Sequence, residues 1–521
     1  MQLTPLLPIQ VTSVPLKNQD VHTVDTVQKS TDIPRSSSSV EILNKAAPTD
    51  ESDTYTRPRL VPKTFTNIFS ASDSAAVQNM SKGLNDTMAQ SAAGGHLKVS
   101  GLMSQLSGLA GETASFEAEV RLSQLSEEAA ASGVSPDFNE QLRGNKGGSM
   151  TVQIRTKDGD VIDVELGTVT NAKGEKSLTF MMTVDGELSE KEMKAIDEVA
   201  QSLGKVADRY FSDGEAALNE LRGLDNDLLG GFSLKLQKGD ESLQLNYNVS
   251  KLDGSMQLDG KFNGYSFDVR REAGHSLVDD TLLDNPQYQQ YLQLIEESGQ
   301  EYGTDNETVR FMKDGLGALF GLSVSAEEQH VKQVDTETKA LSDFHSNLPD
   351  FEASFDSPVF VNKYHPADKS FMSLTMSQES SLEKTDSGEI SLTQNFKYQQ
   401  SIHTFESLPG HAGPDLKHGD YIIQRQEKDE QVVRELELNN SRPVVATEYR
   451  MGDESLVRET KERFLVTDVQ KEEDSYANVI NLLEQIDASG KAVSESQQEQ
   501  LLNSDVLELF EYAGETDEDV K

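Results

Sequence analysis

Between Gly148 and Glu272 the chain is a run of short alternating segments separated by glycine turns, and no other feature limits its fold as tightly. Val152 and Ile154, then Ile162, Val164 and Leu166, fall at every second position on either side of Asp158-Gly159. That dipeptide supplies the positive φ of a tight hairpin turn, so the two segments read as paired strands with one apolar face. A third strand follows at Leu178, Phe180, Met182 and Val184 and ends at Asp185-Gly186. The period then changes. Ser189 and Glu192 are the two halves of a capping box, and Met193, Ile196, Val199, Leu203, Val206 and Tyr210 recur behind them at helical spacing. Ser212 with Glu215 reads as a second helix start, continued by Leu218 and Leu221 and stopped at Gly230-Gly231. Four more strands are expected around Leu234, Leu245, Leu258 and Phe267, joined by Gly239-Asp240, Asp253-Gly254 and Asn263-Gly264. Strands on both sides of a helical insert predict an α+β fold in which antiparallel β-meanders flank the helices.

The rest of the chain repeats this alternation of character. Residues 273–354 read as a helical segment, with Tyr288, Tyr291, Leu292 and Ile295 on one face and Thr304-x-x-Glu307 boxing a helix through Val309, Met312, Leu316 and Phe320. Residues 355–470 read as a second antiparallel region of long, thinly apolar strands; 421–438 also fits a helix, as does 116–122 farther upstream. Residues 471–521 are expected to form C-terminal helices, Ser475–Ala488 and Ser494–Tyr512, and an acidic tip. Residues 73–147 predict short helices and a linker. Residues 1–72 hold seven of the 15 prolines and only three aromatics, Tyr55, Phe65 and Phe69. Such a segment cannot bury enough apolar surface to offset its ordering entropy, which predicts a disordered N-terminal arm.

Composition narrows the function classes. The 89 acidic against 47 basic residues leave a net charge of −42, a field that repels phosphate backbones and anionic lipid surfaces, so nucleic acid and bare membrane are poor partners and a basic protein is the expected one. No stretch reaches the roughly 18 apolar residues of a membrane helix. With no cysteine there is no disulfide framework or thiolate chemistry. The N-terminus lacks the basic flank and apolar core of a cleaved signal peptide, so the expected compartment is the cytoplasm, with export without a cleaved signal as the alternative.

Chemistry-bearing motifs are sparse. His403, His411 and His418 fall near a Gly/Pro-rich loop that also carries Asp415, a set able to ligate zinc or nickel if the loop brings it together; solvated loop histidines are the plainer reading. His365 with Asp368 is a weaker pair. Gly315-x-Gly317-x-x-x-Gly321 differs from a dinucleotide loop in spacing and lies on an expected helix, where close packing or termination explains it better. Asp225-Asn226-Asp227 opens like a calcium loop but meets Leu229 and Leu236 where oxygen ligands are required. No nucleophile elbow, zincin or phosphate-loop motif is present, and no cofactor is implied.

One stretch carries a resemblance. Leu178–Ile196, continuing through Lys205–Leu218 and Phe232–Leu236, resembles a domain of unknown function found in uncharacterised gamma-proteobacterial proteins. There a strand ends in a Gly-Asp-Leu or Gly-Glu-Leu turn, leads into a capped helix and an aromatic segment, and returns as a Phe-Ser-Leu strand. The resemblance implies bacterial origin and this local unit, with no activity attached. The expected function is therefore a non-catalytic bacterial binding or scaffold protein. The alternatives are a flagellar-type or other secretion substrate, and a metal-dependent hydrolase built on the His403, His411, His418 and Asp415 set.

Overall fold

The computed structural model describes residues 63–70, 74–92, 97–123, 148–170, 176–222, 228–272, 282, 285–321, 348–384, 389–439 and 442–481. All of these belong to one unit, Ser39–Lys521. The strands are β1 (Lys63–Ser70), β2 (Ser115–Ser123), β3 (Gly148–Thr156), β4 (Val161–Thr170), β5 (Lys176–Asp185), β6 (Leu229–Lys238), β7 (Glu241–Val249), β8 (Met256–Phe262) and β9 (Tyr265–Arg271). They continue as β10 (Phe351–Asp356), β11 (Phe360–Val361), β12 (Lys369–Lys384), β13 (Glu389–Glu406), β14 (Tyr421–Asn439), β15 (Arg442–Glu462) and β16 (Leu465–Asn481). The helices are α1 (Ala75–Ala92), α2 (Ser100–Met103), α3 (Leu106–Ala110), α4 (Glu190–Asp213), α5 (Pro286–Tyr302) and α6 (Asn306–Gly321).

The α+β expectation is overturned by the sheet. Fifteen strands pair in one path, β1-β2-β5-β4-β3-β6-β7-β8-β9-β10-β12-β13-β14-β15-β16, with β11 beside β12 off that path. The two strand-rich regions do not stack as layers. They join edge to edge through β10, which pairs with β9 on one side and β12 on the other, both antiparallel. Helices cover one face of this sheet: α1 lies on β1, β2 and β5, α4 on β3 and β6, α6 on β8 and β9, and α5 on β12 and β13. A single sheet arises because the strands of the path from β2 to β13 each offer one apolar row to the same side, for example Val152, Leu234, Leu258, Val269, Phe355 and Leu374, all buried.

Several local expectations also change. Within the expected arm, 63–70 is strand β1, registered against β2; the remainder, 1–62 and 71–72, lies outside the described residues. Pairing with a non-local partner supplies backbone hydrogen bonds that composition does not reveal. The helix expected from Ser212 does not start there: α4 runs through Asp213, Gly214 closes it at φ +83°, and Leu218–Leu221 is a short 3-10 turn. Asp305 rather than Thr304 caps α6, its Oδ1 accepting from Thr308 N at 2.9 Å. The C-terminal helix expected from Ser475 is strand β16 as far as Asn481, and its remainder, with Ser494–Tyr512, is outside the described residues. The ambiguous 116–122 and 421–438 segments are strands.

The capping box forms as expected, with Ser189 N donating to Glu192 Oε2 at 2.8 Å and Glu192 N to Ser189 Oγ at 3.3 Å. These bonds hold the Glu192 carboxyl below its usual pKa. Ser189→Ala should cost about 1 kcal/mol in thermal or urea denaturation. The Glu192 contribution, from a depressed folded pKa, is complete above about pH 4.3 and is lost as the pH falls through the lower folded value.

The glycines of α6 are packing positions. A Cβ on Gly315 would lie 2.7 Å from the Phe267 ring, and one on Gly260 of β8 would meet the same ring at 2.4 Å. Phe267 is therefore held between two glycines, and it also contacts Phe311 at a centroid distance of 5.0 Å. Gly315→Ala should destabilise by about 1–3 kcal/mol through overpacking, read as a lowered denaturation midpoint.

Candidate functional site

Beyond α5 the helix-side face of the sheet changes chemistry. One row crossing from β9 to β16 reads Val269, Ala353, Met376, Tyr398, Glu430, Gly452, Tyr476, apolar as far as the helix cover extends and polar after it. Tyr291 of α5 marks the margin. Its ring stacks on Phe396 at 4.7 Å, its hydroxyl donates to Gln378 Oε1 at 2.7 Å, and burial pushes its phenol pKa up. Past that point carboxylates are neutralised in pairs. Arg434 Nε donates to Glu448 Oε2 at 2.8 Å, Arg450 Nε to Glu430 Oε1 at 2.7 Å, and Tyr476 OH to Glu430 Oε2 at 2.5 Å. Glu430 and Glu448 are buried, so each needs its arginine.

The opposite, open face is polar over most of its length, with apolar side chains at positions such as Met181 and Met451 and at the base around Phe371, Phe405 and Ile423. Cross-strand amide-to-carboxylate bonds recur along it: Gln153 to Asp163 at 2.8 Å, Asn246 to Asp259 at 2.7 Å, Gln257 to Asp268 at 2.9 Å and Gln399 to Asp429 at 2.7 Å. Two clefts cross this face. One of about 700 Å³ runs over β12–β16, where Glu427, Asp429, Asp453 and Glu473 project from this face among serines. A second, of about 580 Å³, lies over β8–β14 with Asp268, Glu352 and Asp429 facing Arg270 and Lys397.

Strands β14–β16 form a blade whose last member is bare. Every β16 residue from Leu465 to Val479 is exposed, including Val469 (55%) and Val479 (64%). Among the described residues, β15 is the one strand paired with it. Seventeen residues of strand extend about 55 Å at the usual rise.

The base of the blade is knotted. Lys461 Nζ contacts Asp368 Oδ1 at 2.8 Å and Oδ2 at 2.7 Å, Tyr421 OH donates to Asp368 Oδ2 at 2.6 Å, and Asn362 Nδ2 donates to Tyr421 OH at 3.2 Å. Burial alone would raise the Asp368 pKa, but hydrogen bonds from Lys461 and Tyr421 outweigh it and hold the ion-paired carboxyl below its usual range. His365 Nδ1 lies 2.6 Å from Asp368 Oδ2, and its ring stacks on Phe464. Phe464 sits in the β15–β16 turn at φ +67° and its N–H donates to Gly419 O at 3.2 Å. A Cβ on Gly419 would stand 2.4 Å from that nitrogen, so glycine is required there.

The histidines singled out in the sequence are distributed rather than gathered. His403, on β13, has Nε2 2.9 Å from Glu427 Oε1 and its ring 4.4 Å from that of Phe371. His418 Nδ1 lies 2.7 Å from Asp415 Oδ2 within one turn, where the His418 N–H and side chain lower the Asp415 pKa. His411 is exposed in the same loop, its backbone N–H donating to Leu408 O. Among the described residues no three His, Asp or Glu side chains are placed to hold one metal ion. The Asp225–Asp227 segment is outside the described residues. His365 and Asp368 do meet, and the deciding partner is Lys461, 93 residues away, which no local pattern announces.

No helix among the described residues is long and apolar enough to cross a membrane. No family model matches the chain. No solved structure matches it. It is similar to the trigger factor of Bartonella henselae, 24% identical over 240 residues, which is 44% of this chain and 46% of that protein. The chain thus spans less than half the length of the curated relative it matches.

Proposed function

We propose that the protein is a non-catalytic binding protein that docks a basic polypeptide along the β14–β16 blade. The observation that carries this reading is β16 itself, a long edge strand with exposed side chains on both faces and an unshielded backbone edge among the described residues. Isolated edges of this length invite pairing with another chain, and natural sheets otherwise shorten, cover or break them. Charge selects the partner. The open-face cleft beside β16 carries four carboxylates, Glu427, Asp429, Asp453 and Glu473, and the whole chain is at −42. A second copy would set Glu472, Glu473 and Asp474 against like charge, whereas a lysine- or arginine-rich segment would be drawn in and released by salt.

The test is affinity capture of the intact chain from its native cells at low and high salt. A partner recovered at low salt, reduced at high salt, and lost with Val469→Lys plus Val479→Lys supports the reading; equal recovery by the double variant contradicts it. The compartment belongs to the same proposal. The cytoplasm is favoured, and appearance of the protein in the medium, dependent on residues 1–72, would instead support export without a cleaved signal.

A further inference from the structure

The knot at the base of the blade places an amine, a carboxyl group and a second carboxylate in reacting order. Lys461 and Asp368 are 4% and 3% exposed, and Lys461 Nζ touches both Asp368 oxygens. Glu459, two residues before Lys461 on β15, brings Oε1 to 3.4 Å from the same nitrogen and is itself held by Arg425 at 3.1 Å. Tyr421 OH donates to the carboxyl oxygen that would become an amide carbonyl.

We propose that Lys461 and Asp368 are joined by an intramolecular isopeptide bond, with Glu459 as the proton-transfer group. The step begins from the ion pair. One proton passes across the contact from the Lys461 ammonium to Asp368, giving the neutral amine and acid from which attack proceeds. The amine lone pair attacks Asp368 Cγ, forming the C–N bond, and Tyr421 stabilises the charge that develops on oxygen. Glu459 takes a second proton from Nζ and delivers it to the departing hydroxyl, so the C–O bond breaks and water leaves. Ammonium plus carboxylate becomes amide plus water, and no oxidant, metal or co-substrate enters the balance. The product exchanges two buried charges for one neutral group. Its carbonyl keeps the Tyr421 donor and its N–H gains Glu459 as acceptor.

Proximity is what makes the reaction accessible at neutral pH, because the fold holds the reacting groups in contact permanently. The bond would close a loop containing β12, β13, β14 and nearly all of β15, fastening the base of the blade whatever docks along it. It is independent of the docking proposal and would stand if that failed.

Intact-mass spectrometry of the denatured full chain tests it. The expected mass is one water below that of the sequence, with a branched peptide linking the Asp368 and Lys461 segments after proteolysis. Lys461→Arg and Asp368→Ala should restore the full mass, and Glu459→Gln should restore it while the protein remains folded by circular dichroism. The full sequence mass in folded wild-type protein overturns the proposal without reference to any variant. So does a mass deficit that persists in Lys461→Arg.

Discussion

Lys461→Met should open the base of the blade, lowering protection of backbone amides around Tyr421 and Lys461 in native-state hydrogen exchange by an amount equivalent to about 3–5 kcal/mol. The effect is large because Asp368 is then left buried without its lysine, with the Tyr421 hydroxyl and the His365 ring as its remaining partners. Taking out both groups, Asp368→Leu with Lys461→Met, should recover the share due to the stranded carboxylate, since a buried pair replaced by apolar side chains is often near neutral. Exchange elsewhere in the sheet, around Val152 and Leu245, should not change. Unchanged protection at Tyr421 in the single variant would mean that the base is held by its turns alone, chiefly the clamp between Gly419 and Phe464.

Phe267→Ala should be comparably costly, at about 3–5 kcal/mol, and should act in the middle of the long sheet. The ring is buried between Gly260 and Gly315 and packs against Phe311, which also reaches Phe262 at 5.4 Å. Removing it empties the space that fixes α6 on β8 and β9. Neither glycine carries a side chain to collapse into the void, which favours the upper part of the range. A lowered denaturation midpoint together with faster exchange in α6 is the expected signature, and loss confined to α6 without a lower midpoint would show that helix and sheet unfold separately.

Local chemistry was readable wherever it was also structural. Asp158-Gly159 turns with Gly159 at φ +112°, Asn263-Gly264 turns with both residues at positive φ, and Ser189 with Glu192 caps α4. These are decisions made within a few residues. What could not be read was pairing at a distance. Strand β10 stands some 80 residues beyond β9 with helices α5 and α6 among the residues between them, so nothing in either segment says that they share an edge, and without that edge two strand groups look like two layers. The long strands were also obscured by their own chemistry. From β14 onward the charged pairs Glu430–Arg450 and Arg434–Glu448 interrupt the buried helix-side row of Val432, Leu436 and Ala446, which blurs the alternation that marks a strand. In β16, Tyr476, Val479 and Ile480 fall at helical spacing, so the segment reads as a helix. The site suffered in the same way. His403, His411, His418 and Asp415 are close in sequence, whereas Tyr421 and Lys461 meet through strand register and Asp368 reaches them from the turn before β12.

The docking role of the blade is tested most directly by photo-crosslinking in native cells. A photoreactive side chain is placed at Val469 or Val479 on β16, and as a control at Leu252, which is 95% exposed in the β7–β8 turn. Adducts of one basic protein from both blade positions and none from Leu252 are predicted. Adducts from Leu252 alone, or none from β16 while the same protein is still captured, would contradict the blade as the docking surface.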